Sequence, residues 1–139
     1  MSGFHQDERT IVDAVEALTP RYVTLLQDLV RIPSPIGHEG PAQRVVAGHM
    51  REIGLAVDVF DIDPSRLPSP AFNPTPQEYA NRPCVVGRLP GTGGGPSLML
   101  NAHIDTVPVD GEGRWAYPPY GGVIDSGRLY GRGACDDKA

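Results

Sequence analysis

A histidine and an aspartate lie two positions apart at the end of an apolar run, in the segment LMLNAHIDTVP at residues 98–108. On a β-strand, positions i and i+2 face the same side, so His103 and Asp105 would share a face about 7 Å apart along the chain. The carboxylate could then hold one imidazole nitrogen while the other nitrogen binds a metal ion. A purely structural histidine–aspartate pair fits the same spacing, so the spacing alone leaves both interpretations open.

A second group of candidate ligands, Asp136 and Asp137, follows the segment GRLYGRGAC. Because a predicted strand and a Gly-x-Gly turn precede it, at least one carboxylate should be presented at a strand end. Carboxylate oxygen and imidazole nitrogen together suit zinc or a similar divalent ion. A carboxylate can also bridge two metals about 3.5 to 4 Å apart. The alternative is a solvated acidic turn with Lys138 as its counter-ion.

Two helices are predicted upstream of these groups. The apolar periodicity of TPRYVTLLQDLVRIP predicts a helix with Thr19 as its N-cap, Pro20 in its first turn and Pro33 just after its end. A shorter periodic stretch precedes it. A second helix is predicted at residues 41–53 with Gly54 as its stop. His38 and Glu39 are interpreted as turn and helix-start residues between the two.

Strands are predicted from alternation at residues 55–61 and from apolar runs at 84–89 and 97–101, with the last two as neighbours joined by PGTGGGP. A short β-hairpin is predicted within residues 121–133, with its turn at Ser126-Gly127. Trp115 and Tyr117 are interpreted as loop packing or as residues that shape the mouth of a site. This order of elements predicts an α/β fold with a mixed β-sheet flanked by helices.

The composition is that of an ordinary globular protein: 139 residues, 40% hydrophobic and 21% charged. The net charge of −5 argues against nucleic acid or an anionic membrane surface as a partner. No apolar run approaches the roughly 18 residues of a membrane-spanning helix. Two cysteines without repeat spacing favour a reducing compartment, so we expect a cytoplasmic protein.

Taken together in this order, HIDTVP, YPPYGG and GRLYGRGACDDK closely resemble the M20 family of metal-dependent amidohydrolases and peptidases. The upstream LLQDLVRIPSPIGHEG is similar to the first helix and turn of that family. Within the family, LNAHIDTVP with GRGACD is most similar to the acetylornithine deacetylase and succinyl-diaminopimelate desuccinylase branch. The resemblance implies a zinc-peptidase-like catalytic domain, of which residues 1–139 would be the N-terminal portion.

The resemblance also implies roles for individual residues. His103 would bind one metal, Asp105 would orient His103 as part of the catalytic machinery, and Asp136 would bridge both metals. Asp137 would lie behind Asp136, with a cis peptide bond between them. The cofactors implied are two divalent ions, with zinc expected and cobalt or manganese as alternatives. Substrates implied are small molecules, an N-acyl amino acid or a peptide.

The family's general-base glutamate, remaining metal ligands and smaller lid or dimerisation domain find no counterpart in these 139 residues. We therefore expect an incomplete catalytic domain that is inactive alone and belongs to a longer enzyme. The resemblance is compatible with a homodimer of that longer enzyme. A dipeptidase or carboxypeptidase of the same family is the neighbouring alternative. A truncated, non-catalytic binding protein is the alternative of a different class.

Overall fold

The computed structural model describes residues 6–66 and 79–139 of the chain. Its elements, in chain order, are helices α1 (Gln6–Arg31) and α2 (Gly40–Glu52), strands β1 (Ala56–Phe60), β2 (Cys84–Arg88), β3 (Val123–Asp125) and β4 (Arg128–Tyr130), and single 3-10 turns at Pro64–Arg66 and Glu112–Arg114. The predicted α/β class is confirmed. None of the helices in these two ranges is both long enough and apolar enough to cross a membrane.

Helix α1 begins earlier than predicted, because it continues without interruption through Pro20. The predicted N-cap at Thr19 is therefore wrong: Thr19 lies inside the helix, and its hydroxyl donates a hydrogen bond to the carbonyl of Val15 (3.2 Å). A proline inside a helix removes the hydrogen bond to the carbonyl four residues earlier, here that of Glu16. This part of α1 is exposed, so water can reach that carbonyl.

Helix α2 lies where the sequence predicts it, within one residue at each end. It ends because Gly54 adopts a φ of +87°, the left-handed conformation that glycine takes at little cost. The N–H of Gly54 then donates to the carbonyl of Arg51 (3.0 Å). The buried face of α2 is formed by small residues, Ala42 and Ala47.

Strands β1 and β2 form an antiparallel pair with Ala56 opposite Arg88 and Phe60 opposite Cys84. The pair packs against α2 at Gly87. A Cβ atom at this position would lie only 2.6 Å from Leu55 Cδ2 and 2.8 Å from Met50 Sδ. The close approach of strand and helix therefore depends on glycine at position 87.

The strand predicted at residues 97–101 is wrong, and so is its predicted pairing with residues 84–89 through the glycine-rich connection, because β2 pairs with β1 instead. Leu98, Met99 and Leu100 are 85 to 87% exposed. An apolar run becomes a strand only when neighbouring strands take its N–H and C=O groups. Within the described ranges no strand lies beside this run.

In place of the single mixed sheet expected, the described strands form two separate antiparallel pairs, β1–β2 and β3–β4. The parallel contact that the structure does contain is an isolated bridge between Pro35 and Thr106. This bridge joins the segment after α1 to the segment that carries His103 and Asp105.

The predicted hairpin is confirmed: β3 and β4 are joined by Ser126 and Gly127, with φ angles of 50° and 75°. Two successive positive φ angles are the mark of the type I′ turn. The hairpin docks on α1, where Gln27 Nε2 donates to the carbonyl of Gly122 (2.8 Å). Buried Leu29 and Val30 lie on the same part of the helix, so the C-terminal turns of α1 carry the packing near the candidate site.

Candidate metal centre

The structure brings together the three residues that the sequence singled out. His103 Nε2 lies 3.0 Å from Asp136 Oδ1. On the other side of the ring, His103 Nδ1 lies 3.3 Å from Asp105 Oδ1 and 3.1 Å from the Asp105 carbonyl oxygen. One imidazole ring thus lies between a carboxylate that holds Nδ1 and a carboxylate that faces Nε2, the arrangement of an oriented histidine ligand.

Asp137 also contacts His103, at its backbone and not at its ring. The backbone N–H of His103 donates to Asp137 Oδ2 (3.4 Å). The peptide bond between Asp136 and Asp137 is cis, as the resemblance implied. Asp136 therefore faces the ring of His103 and Asp137 faces its backbone.

The charges around the ring stabilise its protonated form. The hydrogen bond to Asp136 is the main cause and the charge of Asp105 adds to it, so the pKa of His103 is raised above its ordinary value. A metal ion binds only the deprotonated nitrogen. We therefore expect an incoming metal to compete with a proton at Nε2.

Ser34, in the turn after α1, fixes both neighbours of Asp105. Its hydroxyl donates to the carbonyl of Ile104 (2.7 Å), and its own carbonyl accepts from the N–H of Thr106 (2.9 Å). Ser34 is completely buried, so water does not compete for these hydrogen bonds. The backbone around Asp105 is thereby attached to the end of α1.

Lys138 attaches the other half of the site to the same place, and sequence reasoning missed this role. Its Nζ donates to the carbonyls of Leu29 (2.7 Å) and Ile32 (2.9 Å), at the C-terminus of α1. Burial lowers its pKa to about 8. The interpretation of Lys138 as a solvated counter-ion of the aspartates is wrong, because its amine is buried against the negative end of the helix dipole. That preference of helix ends for cations is the signal that could have suggested it.

The Gly-x-Gly turn before Asp136 lets these segments approach closely. A Cβ at Gly131 would lie 2.2 Å from Val30 Cγ1, and one at Gly133 would lie 2.5 Å from Thr106 Cγ2. Gly131 therefore contacts α1 and Gly133 contacts the segment of His103. The turn has no room for side chains at either position.

A buried ion pair lies next to Asp105. The Glu39 carboxylate accepts hydrogen bonds from Arg82 Nε (3.0 Å) and Nη2 (2.7 Å) and from the N–H of Gly37 (3.1 Å). Burial alone would raise the pKa of Glu39, but these hydrogen bonds outweigh it and hold the pKa below its ordinary value. Glu39 is thus a structural residue at the start of α2, as the sequence predicts.

His103 and Asp136 offer the donor atoms that zinc prefers, an imidazole nitrogen and a carboxylate oxygen. Two ligands with bonds of about 2.0 to 2.2 Å in a tetrahedral site lie about 3.3 to 3.6 Å apart, a little farther than the 3.0 Å between His103 Nε2 and Asp136 Oδ1. Among the described residues, no cluster of three or more His, Cys, Asp or Glu side chains is arranged to hold an ion. The chemistry and spacing of this pair fit a zinc-like ion, as two of its ligands.

The fold and this site define an α/β protein with a paired histidine–carboxylate centre. Residues 99–139, which contain that centre, match the model of peptidase family M20/M25/M40. This part of the chain is therefore similar to a family of peptidases.

Curated relatives agree with the family match. The chain is 38% identical over 116 residues to the succinyl-diaminopimelate desuccinylase of Methylobacterium radiotolerans, covering 82% of this chain and 25% of the relative. Proteins of the same name from Gluconacetobacter diazotrophicus (38% over 125 residues, 88% and 28%) and Gluconobacter oxydans (39% over 117 residues, 84% and 26%) are similar to it. The chain spans about a quarter of the length of these relatives.

Proposed function

We propose that this chain is part of a metal-dependent hydrolase that cleaves the amide C–N bond of an N-acyl amino acid. The observation that carries the proposal is the position of the His103 ring between Asp105 and Asp136. The relatives support the acyl-amino-acid substrate class, because each of the three is named for removing a succinyl group from diaminopimelate.

In this proposal His103, through Nε2, and Asp136 would hold the divalent ions. Asp105 accepts the Nδ1–H of His103, which fixes the tautomer and directs the lone pair of Nε2 toward the metal. The Asp136 side chain is 88% exposed, so its carboxylate is open to a second ion. When bound, zinc, or cobalt or manganese in its place, would polarise the amide carbonyl and make water more acidic.

We further propose that the 139 residues do not hydrolyse amides by themselves. A zinc site uses about three or four protein ligands, and His103 and Asp136 supply two. General-base assistance contributes about 10² to 10⁴-fold to the rate. Among the glutamates in the described ranges, Glu39 is the most buried. It is paired with Arg82, so we do not assign it as the general base. Metal-dependent hydrolysis by the purified chain would contradict this part of the proposal.

The proposed enzyme works in the cytoplasm on a small molecule, without nucleic acid or a membrane as partner. Both cysteines, Cys84 and Cys135, are free thiols, which suits a reducing compartment.

The function can be tested in a chimera in which this chain replaces the matching quarter of the Methylobacterium radiotolerans relative. We expect zinc-dependent hydrolysis of N-succinyl and N-acetyl amino acids, lowered about 10 to 100-fold by Asp105→Asn, the usual effect of losing such an orienting partner. Asp110→Asn removes one exposed carboxylate away from the ring and serves as the matched control. Cleavage of dipeptides alone would favour the peptidase alternative, and a zinc-loaded chimera without hydrolysis would contradict the proposal.

A further inference from the structure

A cavity of about 220 Å³ lies beside the histidine–carboxylate pair. Its lining includes His103 and Asp136, and also Thr106 and Arg132. The charges of His103, Asp105 and Asp136 are accounted for by their mutual contacts. Arg132 is a basic residue in the lining of this cavity, and the proposed hydrolysis assigns it no role.

Arg132 has no carboxylate within ion-pair distance in the part of the chain that the structure describes, and its buried Nε–H has no acceptor there. By contrast, Arg31 and Arg82 are paired with Asp28 and Glu39. A buried N–H without an acceptor is unfavourable in folded proteins, so an acceptor beside this guanidinium would stabilise the site.

Two neighbours hold Arg132 in place. Its Cζ lies over the Trp115 ring, 5.0 Å from the ring centroid, a cation–π contact. Its backbone N–H donates to the carbonyl of Pro119 (2.7 Å). A guanidinium held in this way loses less freedom when it binds a ligand than a mobile surface arginine does.

Thr106 forms part of the cavity wall. It is 3% exposed, and its buried Oγ1 has no hydrogen-bond partner in the described ranges. Its methyl group is directed toward Gly133. The cavity therefore places a fixed cation next to the place where the scissile amide is proposed to bind.

We propose that Arg132 is a substrate-binding residue that holds a carboxylate of the substrate in this cavity, and that Trp115 positions it. The inference rests on the proposed function, since it names the part of an N-acyl amino acid that this cavity binds. A guanidinium presents N–H donors in a planar fork that matches the two oxygens of a carboxylate. An α-carboxylate lies within a few bonds of the amide, so both groups can reach the same small cavity and the adjoining pair.

Binding can be measured without turnover, because Trp115 is the one tryptophan of the chain and contacts Arg132. Metal-free protein, kept in chelator, is titrated with succinate and with an N-acetyl amino acid while tryptophan fluorescence is recorded. We expect a saturable change with both carboxylates. The corresponding N-acetyl amino acid amide, which lacks the carboxylate, should give none.

Three variants make the test specific. Arg132→Gln should weaken carboxylate binding at least tenfold, whereas Arg128→Gln removes the same charge from the exposed face of β4 and should leave binding unchanged. Arg132→Lys keeps the charge without the fork and should give intermediate affinity, which also guards against a folding defect in the glutamine variant.

The inference is overturned if carboxylates leave the fluorescence unchanged, or if Arg132→Gln binds them as wild type does. It is also overturned if His103→Gln abolishes binding while Arg132→Gln does not, since the anion would then lie on the histidine. Because neither metal nor hydrolysis enters the measurement, carboxylate binding without activity in the chimera would leave Arg132 assigned and reject the proposed function alone.

Discussion

Two buried charged residues, Lys138 and Glu39, explain much of how the candidate centre is held together. Lys138 joins the aspartate segment to the C-terminus of α1. Glu39 joins the start of α2 to Arg82, close to Asp105. Both are buried, so their hydrogen bonds form in surroundings where losing a partner is costly.

Replacing Lys138 by methionine should destabilise the fold around the site. The substitution keeps most of the buried volume but removes the ammonium donor from both carbonyls. That of Leu29 still accepts from the N–H of Ile32 (3.2 Å), whereas that of Ile32 loses its side-chain donor, at a cost of about 1 to 3 kcal/mol for an unsatisfied buried group. Urea unfolding of wild type and Lys138→Met measures the difference. Arg128→Met, on an exposed strand position, is the control; equal stability of both variants and wild type would contradict the role given to Lys138.

Glu39 should make stability depend on pH in the acid range. Because its pKa in the folded state is below the ordinary value of 4.5, the unfolded chain binds more protons in this window. The stabilisation is complete above about pH 4.5 and is lost as the pH falls through the lowered pKa. Unfolding free energies measured between pH 3 and 6 should fall more steeply for wild type than for Glu39→Gln. Parallel pH profiles would show that the ion pair with Arg82 contributes nothing.

At the scale of elements, α1 is the common support of the site. Ser34 and the Pro35–Thr106 bridge attach the His103 segment just after the helix, and Lys138 attaches the Asp136 segment at its last turn. The β3–β4 hairpin docks on the same turns through Gln27. The distance between His103 and Asp136 is thereby set by two attachments to one helix end.

The glycine-rich turn before Asp136 approaches α1 most closely at Gly131, where an added Cβ would meet Val30. Gly131→Ala places a methyl group against the completely buried side chain of Val30 and should cost about 1 to 3 kcal/mol, as overpacking usually does. Gly95→Ala is the matched control, because a Cβ there meets no atom within 4 Å. Thermal unfolding of the two variants tests the contact, and a Gly131→Ala protein as stable as the Gly95→Ala protein would refute it.

At this scale, the sequence predicts the elements whose signals are local in the chain and misses those that depend on distant partners. Helix α2 and the Ser126-Gly127 hairpin depend on short-range patterns and turn residues, and both were predicted. The run at 97–101 has the composition of a strand, but a strand needs partners that composition does not reveal. The apolar pattern predicts a helix start at Pro20, because the tolerance of an exposed helix for an internal proline is not visible in that pattern.

The candidate site shows the same division. His103, Asp105 and Asp136 could be singled out from residue type, spacing and family resemblance, and the structure brings them together. The sequence does not show which carbonyls Lys138 reaches, nor that the Nε–H of Arg132 has no acceptor within the described ranges. Each depends on a contact with a residue distant in sequence, Leu29 or a cavity wall, that only the fold defines.

At the scale of the whole molecule, the apolar core of the described residues is small, and many large apolar side chains remain exposed. Val30, Ala42 and Ala47 are buried, whereas Leu98, Met99 and Leu100, just before the site, are almost fully exposed. The His103 segment is therefore supported from the α1 side, through Ser34 and the aspartates. The metal binding proposed for this segment would depend on those contacts.

The central claim is that His103 and Asp136 are two ligands of one metal ion. The measurement that tests it most directly is a cobalt titration of this chain, followed by visible absorption, for wild type, His103→Gln, Asp136→Asn and the control Asp110→Asn. We expect ligand-field bands in wild type and in Asp110→Asn, and their loss in both site variants. Bands that persist unchanged in His103→Gln and Asp136→Asn would contradict the assignment of this pair as a metal centre.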